Sequence, residues 1–184
     1  TNGVGKSSIL EALDCYFNPE GHDWNLYRSI STDPQKDGPV IAPVFLLKKE
    51  SLKLKSDEQA ILDELSSYFW DISETHFGNF MKGFYELRDG LKKEFSADKY
   101  YLLVIGKDGP SAKSVSFVSF QNQIRPKIAA LINVDLSDAQ IDEAFSLADT
   151  VRKPCGRVID RYQYFYIPVE TDPTAYSRLE EREV

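Results

Sequence analysis

Apolar positions recur at helical spacing almost from the start of the chain. Ile9, Leu10, Ala12, Leu13, Tyr16 and Phe17 fall on one side of a 3.6-residue repeat and predict an amphipathic helix. Asn18-Pro19-Glu20-Gly21 supplies the stop. Residues 18–38 are polar and rich in turn formers, so they read as a loop. A buried strand is predicted within 39–48, around Val44-Phe45-Leu46-Leu47. Pro43 marks it as an edge strand or one that begins late. Residues 56–95 are helical in pattern. Ser56 and Gln59 have capping-box spacing, and Ile61, Leu62, Leu65, Tyr68 and Phe69 line one face. A second helix carries Phe77, Phe80, Met81, Phe84, Leu87, Leu91 and Phe95, a stripe suited to packing against a core.

Residues 99–105 and 114–120 are rich in β-branched and aromatic side chains, and a segment containing Asp108-Gly109-Pro110 joins them. This predicts a β-hairpin. A short helix is predicted over 121–133, with Pro126 in its first turn. Leu136 and Ile141 then have staple spacing around a capping box, and a helix is predicted to about Val151, closed by Lys153-Pro154-Cys155-Gly156. Residues 162–167 are almost unbroken aromatic and aliphatic, which predicts a central strand buried on both faces and ended by Pro168. Asp172-Pro173 reads as an N-cap followed by a first helical proline, and the chain turns charged from Ser177.

The strongest chemical signal is Thr1-Asn2-Gly3-Val4-Gly5-Lys6-Ser7-Ser8. Gly5, Lys6 and Ser7 match the second half of the phosphate-binding pattern G-x-x-x-x-G-K-[ST], whose first glycine would fall just before Thr1. Gly3 and Gly5 let the backbone turn tightly and aim N–H groups at phosphate oxygens. Asn2, Val4 and Ser8 complete the candidate nucleotide-binding set. Lys6 can reach the terminal phosphates as a point charge, and the Ser7 hydroxyl can ligate Mg²⁺. The helix predicted next would present its N-terminus to the anion. The expected ligands are therefore ATP and Mg²⁺. Because the chain starts with Thr1 inside a motif, it is expected to be a piece of a longer protein.

Composition narrows the setting. Apolar residues make up 42% and charged residues 28%, ordinary for a globular domain. The longest apolar runs are too short to cross a bilayer, so no membrane partner is expected. The net charge of −7 gives a global field that does not attract DNA, and any nucleic-acid contact would need a local patch. Lys48, Lys49, Lys53 and Lys55 form one small basic cluster, read either as a solvated face or as such a patch. Cys15 and Cys155 give neither a disulfide framework nor zinc spacing, and point to a reducing cytoplasm. His76 stands alone on its aromatic stripe. His22, Asp23 and Trp24 either reach toward an adenine or ribose or form a surface loop anchored by Trp24.

The run from Asn2 to Leu13, N-G-x-G-K-S-S-I-L-E-A-L, resembles the opening of ABC-type ATPases of the SMC, RecF, RecN and OLD branch. The resemblance implies an α/β fold, a P-loop NTPase head lobe of ABC type with an antiparallel β-lobe. Here a helical insertion over 56–95 would be added. Residues 1–184 would be the N-terminal part of the head, with 173–184 starting a helical arm or coiled coil. In that family a strand after the β-lobe leads to a glutamine near Mg²⁺. Glu170 sits at the corresponding place, either taking that role or capping a helix. The helical insertion is unlike the compact SMC or RecF heads and leans the comparison toward defence-type ATPases.

No Walker B run, signature motif or switch histidine follows, so on this resemblance the C-terminal half of the head is expected to lie outside this sequence. No catalytic residue is assigned within this piece, which by itself is not expected to hydrolyse ATP. The implied whole protein would be an ATPase with a second head as partner. Its ATP hydrolysis would gate DNA binding or an effector in DNA repair or phage defence. An alternative is an ATP-gated scaffold that holds a partner nuclease or toxin with little turnover. A small-molecule kinase ranks lower, because lid arginines and a nearby acidic base are not evident.

Overall fold

The computed structural model describes residues 6–22, 40–73, 81–107, 109, 115–116 and 149–166. Along the chain these form α1 (Lys6–Phe17), β1 (Val44–Lys48), α2 (Ser56–Asp71), α3 (Lys82–Leu91), β2 (Tyr100–Val104), β3 (Gly106–Lys107), β4 (Val115–Ser116) and α4 (Asp149–Ile159). The architecture is mixed α and β, with helices packed around small antiparallel pairings.

β1 and β2 pair antiparallel, Val44 opposite Val104 and Lys48 opposite Tyr100. Beyond Pro43 the same register continues to Ile41 opposite Lys107, where each residue donates its N–H to the other's carbonyl at 3.0 and 2.9 Å. Hydrogen-bonded pairs alternate along such a ladder, so Pro43 and Ile105 should exchange two bonds. Ile105 N donates to the Pro43 carbonyl at 3.4 Å, but Pro43 has no N–H to return. The Ile105 carbonyl is instead met by the Tyr16 hydroxyl of α1 at 2.8 Å. Burial pushes the Tyr16 phenol far above its ordinary range, which keeps it a donor.

The same alternation turns Tyr100 and Leu102 outward on the far side of β2, where α2 covers them. Leu102 N donates to Ser66 Oγ at 3.0 Å, and Trp70 Nε1 donates to the Tyr100 carbonyl at 3.2 Å. On the outer side of β1, Tyr162 Oη donates to the Leu46 carbonyl at 3.0 Å and Ser51 Oγ to the Lys48 carbonyl at 2.6 Å. Side chains thus satisfy main-chain groups on both edges of the ribbon. Between α2 and the ribbon lies the core, with Leu62, Leu65, Phe69, Trp70, Tyr101, Leu102, Leu103 and Ile105 all buried.

Several expectations are corrected. The cap of α2 lies one residue earlier than Ser56: Lys55 is the N-cap, and its N–H donates to Glu58 Oε2 at 3.0 Å. Glu58 can do this because Arg157 of α4 holds its other oxygen, Nε to Oε1 at 3.0 Å. On α3, Leu87 is exposed, while Tyr85 and Arg88 join Phe84 in the interior. Arg88 is accommodated because its Nη1 donates to the Ile72 carbonyl and its guanidinium lies 5.1 Å from the centre of the Tyr85 ring.

Among the described residues, β3 and β4 pair antiparallel, Gly106 opposite Ser116, within the expected hairpin, while the longer β2 run pairs with β1. Lys153-Pro154-Cys155-Gly156 does not close a helix but lies inside α4. Val151, Pro154, Cys155 and Val158 are all buried at helical spacing, so packing of that face outweighs the hydrogen bond lost at Pro154. The described residues of the expected central strand, 162–166, are paired in no sheet, and Phe165 is 81% exposed. Their rings lie across α1 and β1 instead of entering a ladder. The basic cluster is mostly solvated: Lys48, Lys53 and Lys55 are exposed, whereas Lys49 bonds Asp63 at 2.6 Å. The expected elements at 121–133, 136–148 and 173–184, the aromatic positions Phe77 and Phe80, and His76 lie outside the described residues.

Two measurements follow from these contacts. Tyr16→Phe strands the Ile105 carbonyl and should cost about 1–3 kcal/mol in urea unfolding. Pro43→Ala restores a ladder donor, so the same Tyr16→Phe change should cost less in that background; equal costs would mean that Tyr16 does not replace the missing donor. The Lys55 amide, and then Arg157, hold the Glu58 carboxyl below its ordinary value of 4.5. A carboxyl depressed on folding contributes stability above its unfolded pKa and loses it as pH falls through the folded one. Between about pH 5 and 3 the wild type should therefore lose more unfolding midpoint than Glu58→Gln.

Candidate functional site

The candidate phosphate site sits at the start of α1. Asn2, Gly3, Val4 and Gly5 lie outside the described residues. The backbone of Lys6 and Ser7 forms the first residues of α1, so a helix opens directly after the glycine-bearing stretch. Ser8 and Glu11 are exposed, as are Ile9 at 63% and Leu10 at 44%. The first four N–H groups of a helix have no intrahelical partner, and the helix dipole places partial positive charge beside them. A helix N-terminus of this kind suits an anion such as a triphosphate.

The other end of α1 is fixed. Lys107 Nζ donates to the Tyr16 carbonyl at 2.8 Å and lies 4.5 Å from the centre of the Tyr16 ring. An ammonium at a helix C-terminus meets one of the orphan carbonyls and the negative end of the dipole. Burial pulls the Lys107 ammonium below its ordinary pKa, while Asp160 and Cys15 pull the other way. Asn18 N donates back to the Asp14 carbonyl at 2.7 Å, and Gly21 turns with φ 85°, a left-handed conformation that favours glycine. The predicted stop at 18–21 is where the helix ends.

Asp14 organises the surface near this end. Its Oδ1 accepts from Asn18 Nδ2 at 2.8 Å, and its Oδ2 lies 3.1 Å from His22 Nε2. His22 thus engages α1; Asp23 and Trp24 lie outside the described residues. Residues 162–166 cross the same helix. Tyr164 stacks on Phe17 with centroids 5.8 Å apart, its carbonyl accepts from Asn18 Nδ2 at 2.9 Å, and its hydroxyl donates to the Leu10 carbonyl at 2.9 Å. Glu170 lies outside the described residues.

Sequence reasoning missed Lys107 and Tyr164. A single lysine after an apolar run carries no periodic signal, and an aromatic run has the same composition in a strand as in a strap laid over a helix. Neither cysteine takes part in the candidate site. Cys15 and Cys155 are both buried, and burial pushes the Cys155 pKa up to about 12, which leaves it inert as a nucleophile. Among the described residues, no group of three or more His, Cys, Asp or Glu could hold a metal ion, and no helix is long and apolar enough to cross a membrane. Comparisons with protein-family models, curated proteins and solved structures found no match to this chain.

Replacing Lys107 with Met keeps most of the side chain's length but removes the donor from the Tyr16 carbonyl. The change should lower stability by about 1–3 kcal/mol in denaturant unfolding and speed amide exchange in the last turn of α1. Unchanged exchange there would show that the ammonium does not hold the helix end.

Proposed function

We propose that this chain is the nucleotide-binding lobe of an ATPase resembling the SMC, RecF, RecN and OLD branch. The supporting observation is one of local context: Gly5 is followed at once by a helix, beginning at Lys6, in which residues 8–11 are exposed. A phosphate loop requires that arrangement, because its main-chain amides and the helix N-terminus act on the same anion.

In this reading Asn2, Gly3, Val4 and Gly5 form the cradle, Lys6 contributes charge to the terminal phosphates, and Ser7 contributes its hydroxyl to Mg²⁺. Glu170 remains the proposed counterpart of the family's metal-side glutamine. ATP supplies the transferable phosphate when bound. The residues of this chain contribute binding and orientation, and hydrolysis requires the acid and signature of the remaining half of the head together with a second head. The whole protein would couple ATP turnover to DNA binding or to an effector in repair or phage defence.

The test is a titration of the purified chain with Mg²⁺-ATP. Saturable binding is expected, with Lys6→Ala weakening it at least about tenfold, as fits loss of a charged hydrogen-bond donor. No multiple-turnover hydrolysis is expected from this chain alone. Binding that is equal in the wild type and Lys6→Ala would remove the phosphate-loop reading. Turnover abolished by Lys6→Ala would show that this chain carries its own catalytic group.

A further inference from the structure

We infer that Tyr164 is a positioning residue for the phosphate site, and that residues 162–166 form a strap through which occupancy of that site is felt further along the chain. The inference rests on the nucleotide reading above. Four observations carry it. Cys15 and Tyr16 near the C-terminal end of α1 are buried, whereas Ser8, Ile9, Leu10 and Glu11 near its start are exposed. The C-terminal end is held by Tyr16 and Lys107, but those contacts lie two to three turns away from the candidate phosphate loop. Tyr164 reaches the other half of the helix, its hydroxyl donating to the Leu10 carbonyl at 2.9 Å. Its ring and carbonyl are meanwhile fixed on Phe17 and Asn18, so one residue spans from Leu10 to Asn18 along α1.

A helix carbonyl has a second lone pair, so Leu10 can accept this bond without losing its intrahelical partner. Burial raises the Tyr164 phenol above its ordinary pKa, with Asp14 and Tyr166 adding to the shift, and the group therefore stays a donor at neutral pH. The bond restrains the exposed early turns of α1 against fraying. A phosphate loop opening such a helix then binds its anion with less ordering cost, which is preorganisation. Linkage requires the reverse effect as well: an anion that orders the first turns of α1 must also tighten the strap. Tyr162 anchors the strap elsewhere, on the Leu46 carbonyl of β1 and against the Phe45 ring at 5.1 Å, and so provides an internal control.

The experiment uses the chain with N-methylanthraniloyl-ATP and Mg²⁺ as the probe. Affinity, thermal midpoint and amide exchange at residues 162–166 are read for the wild type, Tyr164→Phe and Tyr162→Phe. Tyr164→Phe keeps the stacked ring and loses only the hydroxyl; it should weaken binding about fivefold. Tyr162→Phe should leave the affinity within twofold, on the order of the scatter expected between distant sites. Saturation with the probe should slow exchange across 162–166 in the wild type and do so less in Tyr164→Phe.

Equal losses of affinity in both variants would assign Tyr164 a merely structural role and overturn the inference. So would probe binding that leaves exchange at 162–166 unchanged. Absence of binding by the wild type would instead remove the nucleotide reading itself, and this inference with it. If Tyr164→Phe does not fold, Asn18→Ser, which releases the Tyr164 carbonyl, takes its place with the same expected direction.

Discussion

Pro43 cannot donate to the β1–β2 ladder, and the position of α1 follows from how the resulting lone acceptor is met. The Ile105 carbonyl is buried, and a buried acceptor without a partner is costly. The Tyr16 hydroxyl meets it, and Lys107, two residues further along the chain in β3, meets the Tyr16 carbonyl in return. The two bonds run in opposite directions between helix and ribbon, which fixes both the height and the rotation of α1. The remaining edges of the ribbon obey the same requirement. α2 serves Tyr100 and Leu102 through Trp70 and Ser66, and the strap serves Leu46 through Tyr162. α1, α2 and the strap therefore each lie where a main-chain group of the ribbon meets a side-chain partner.

These contacts give α1 two unlike ends. One is enclosed by aromatic rings and a buried ammonium. Toward the other, residues 8–11 are exposed. A helix anchored at its tail and exposed at its head suits a ligand that must enter from water and be met by main-chain amides. The strap links the middle of the helix to its C-terminal end, because Tyr164 engages it at Leu10 as well as at Phe17 and Asn18. The proposed site and the packing that supports it thus belong to one helix.

Where local chemistry decides an element, the sequence was readable. The bounds of α1 follow from the glycines before it and from Asn18-Pro19-Glu20-Gly21 after it. β1 and β2 stand out as apolar runs, and Pro43 marks an edge. What could not be read was pairing, because the partner of β2 lies more than fifty residues upstream and no local signal distinguishes it from the run at 114–120. Pro154 misleads for a related reason. Its helix-breaking tendency is local, whereas the burial of Val151, Cys155 and Val158 that offsets it is tertiary. Residues 162–166 mislead because aromatic content measures the need for cover but not the form that cover takes. Of the candidate phosphate site, the motif was legible throughout, while the residues that anchor its helix were not, since Tyr16, Lys107 and Tyr164 are distant in sequence.

Trp70 has a practical consequence. It is 2% exposed, and its indole nitrogen is tied to the Tyr100 carbonyl, so its surroundings change when α2 leaves the ribbon. With Trp24 replaced by Phe, its fluorescence becomes an intrinsic gauge of that docking event, emitting to the blue while the helix is seated and shifting red once water reaches the ring.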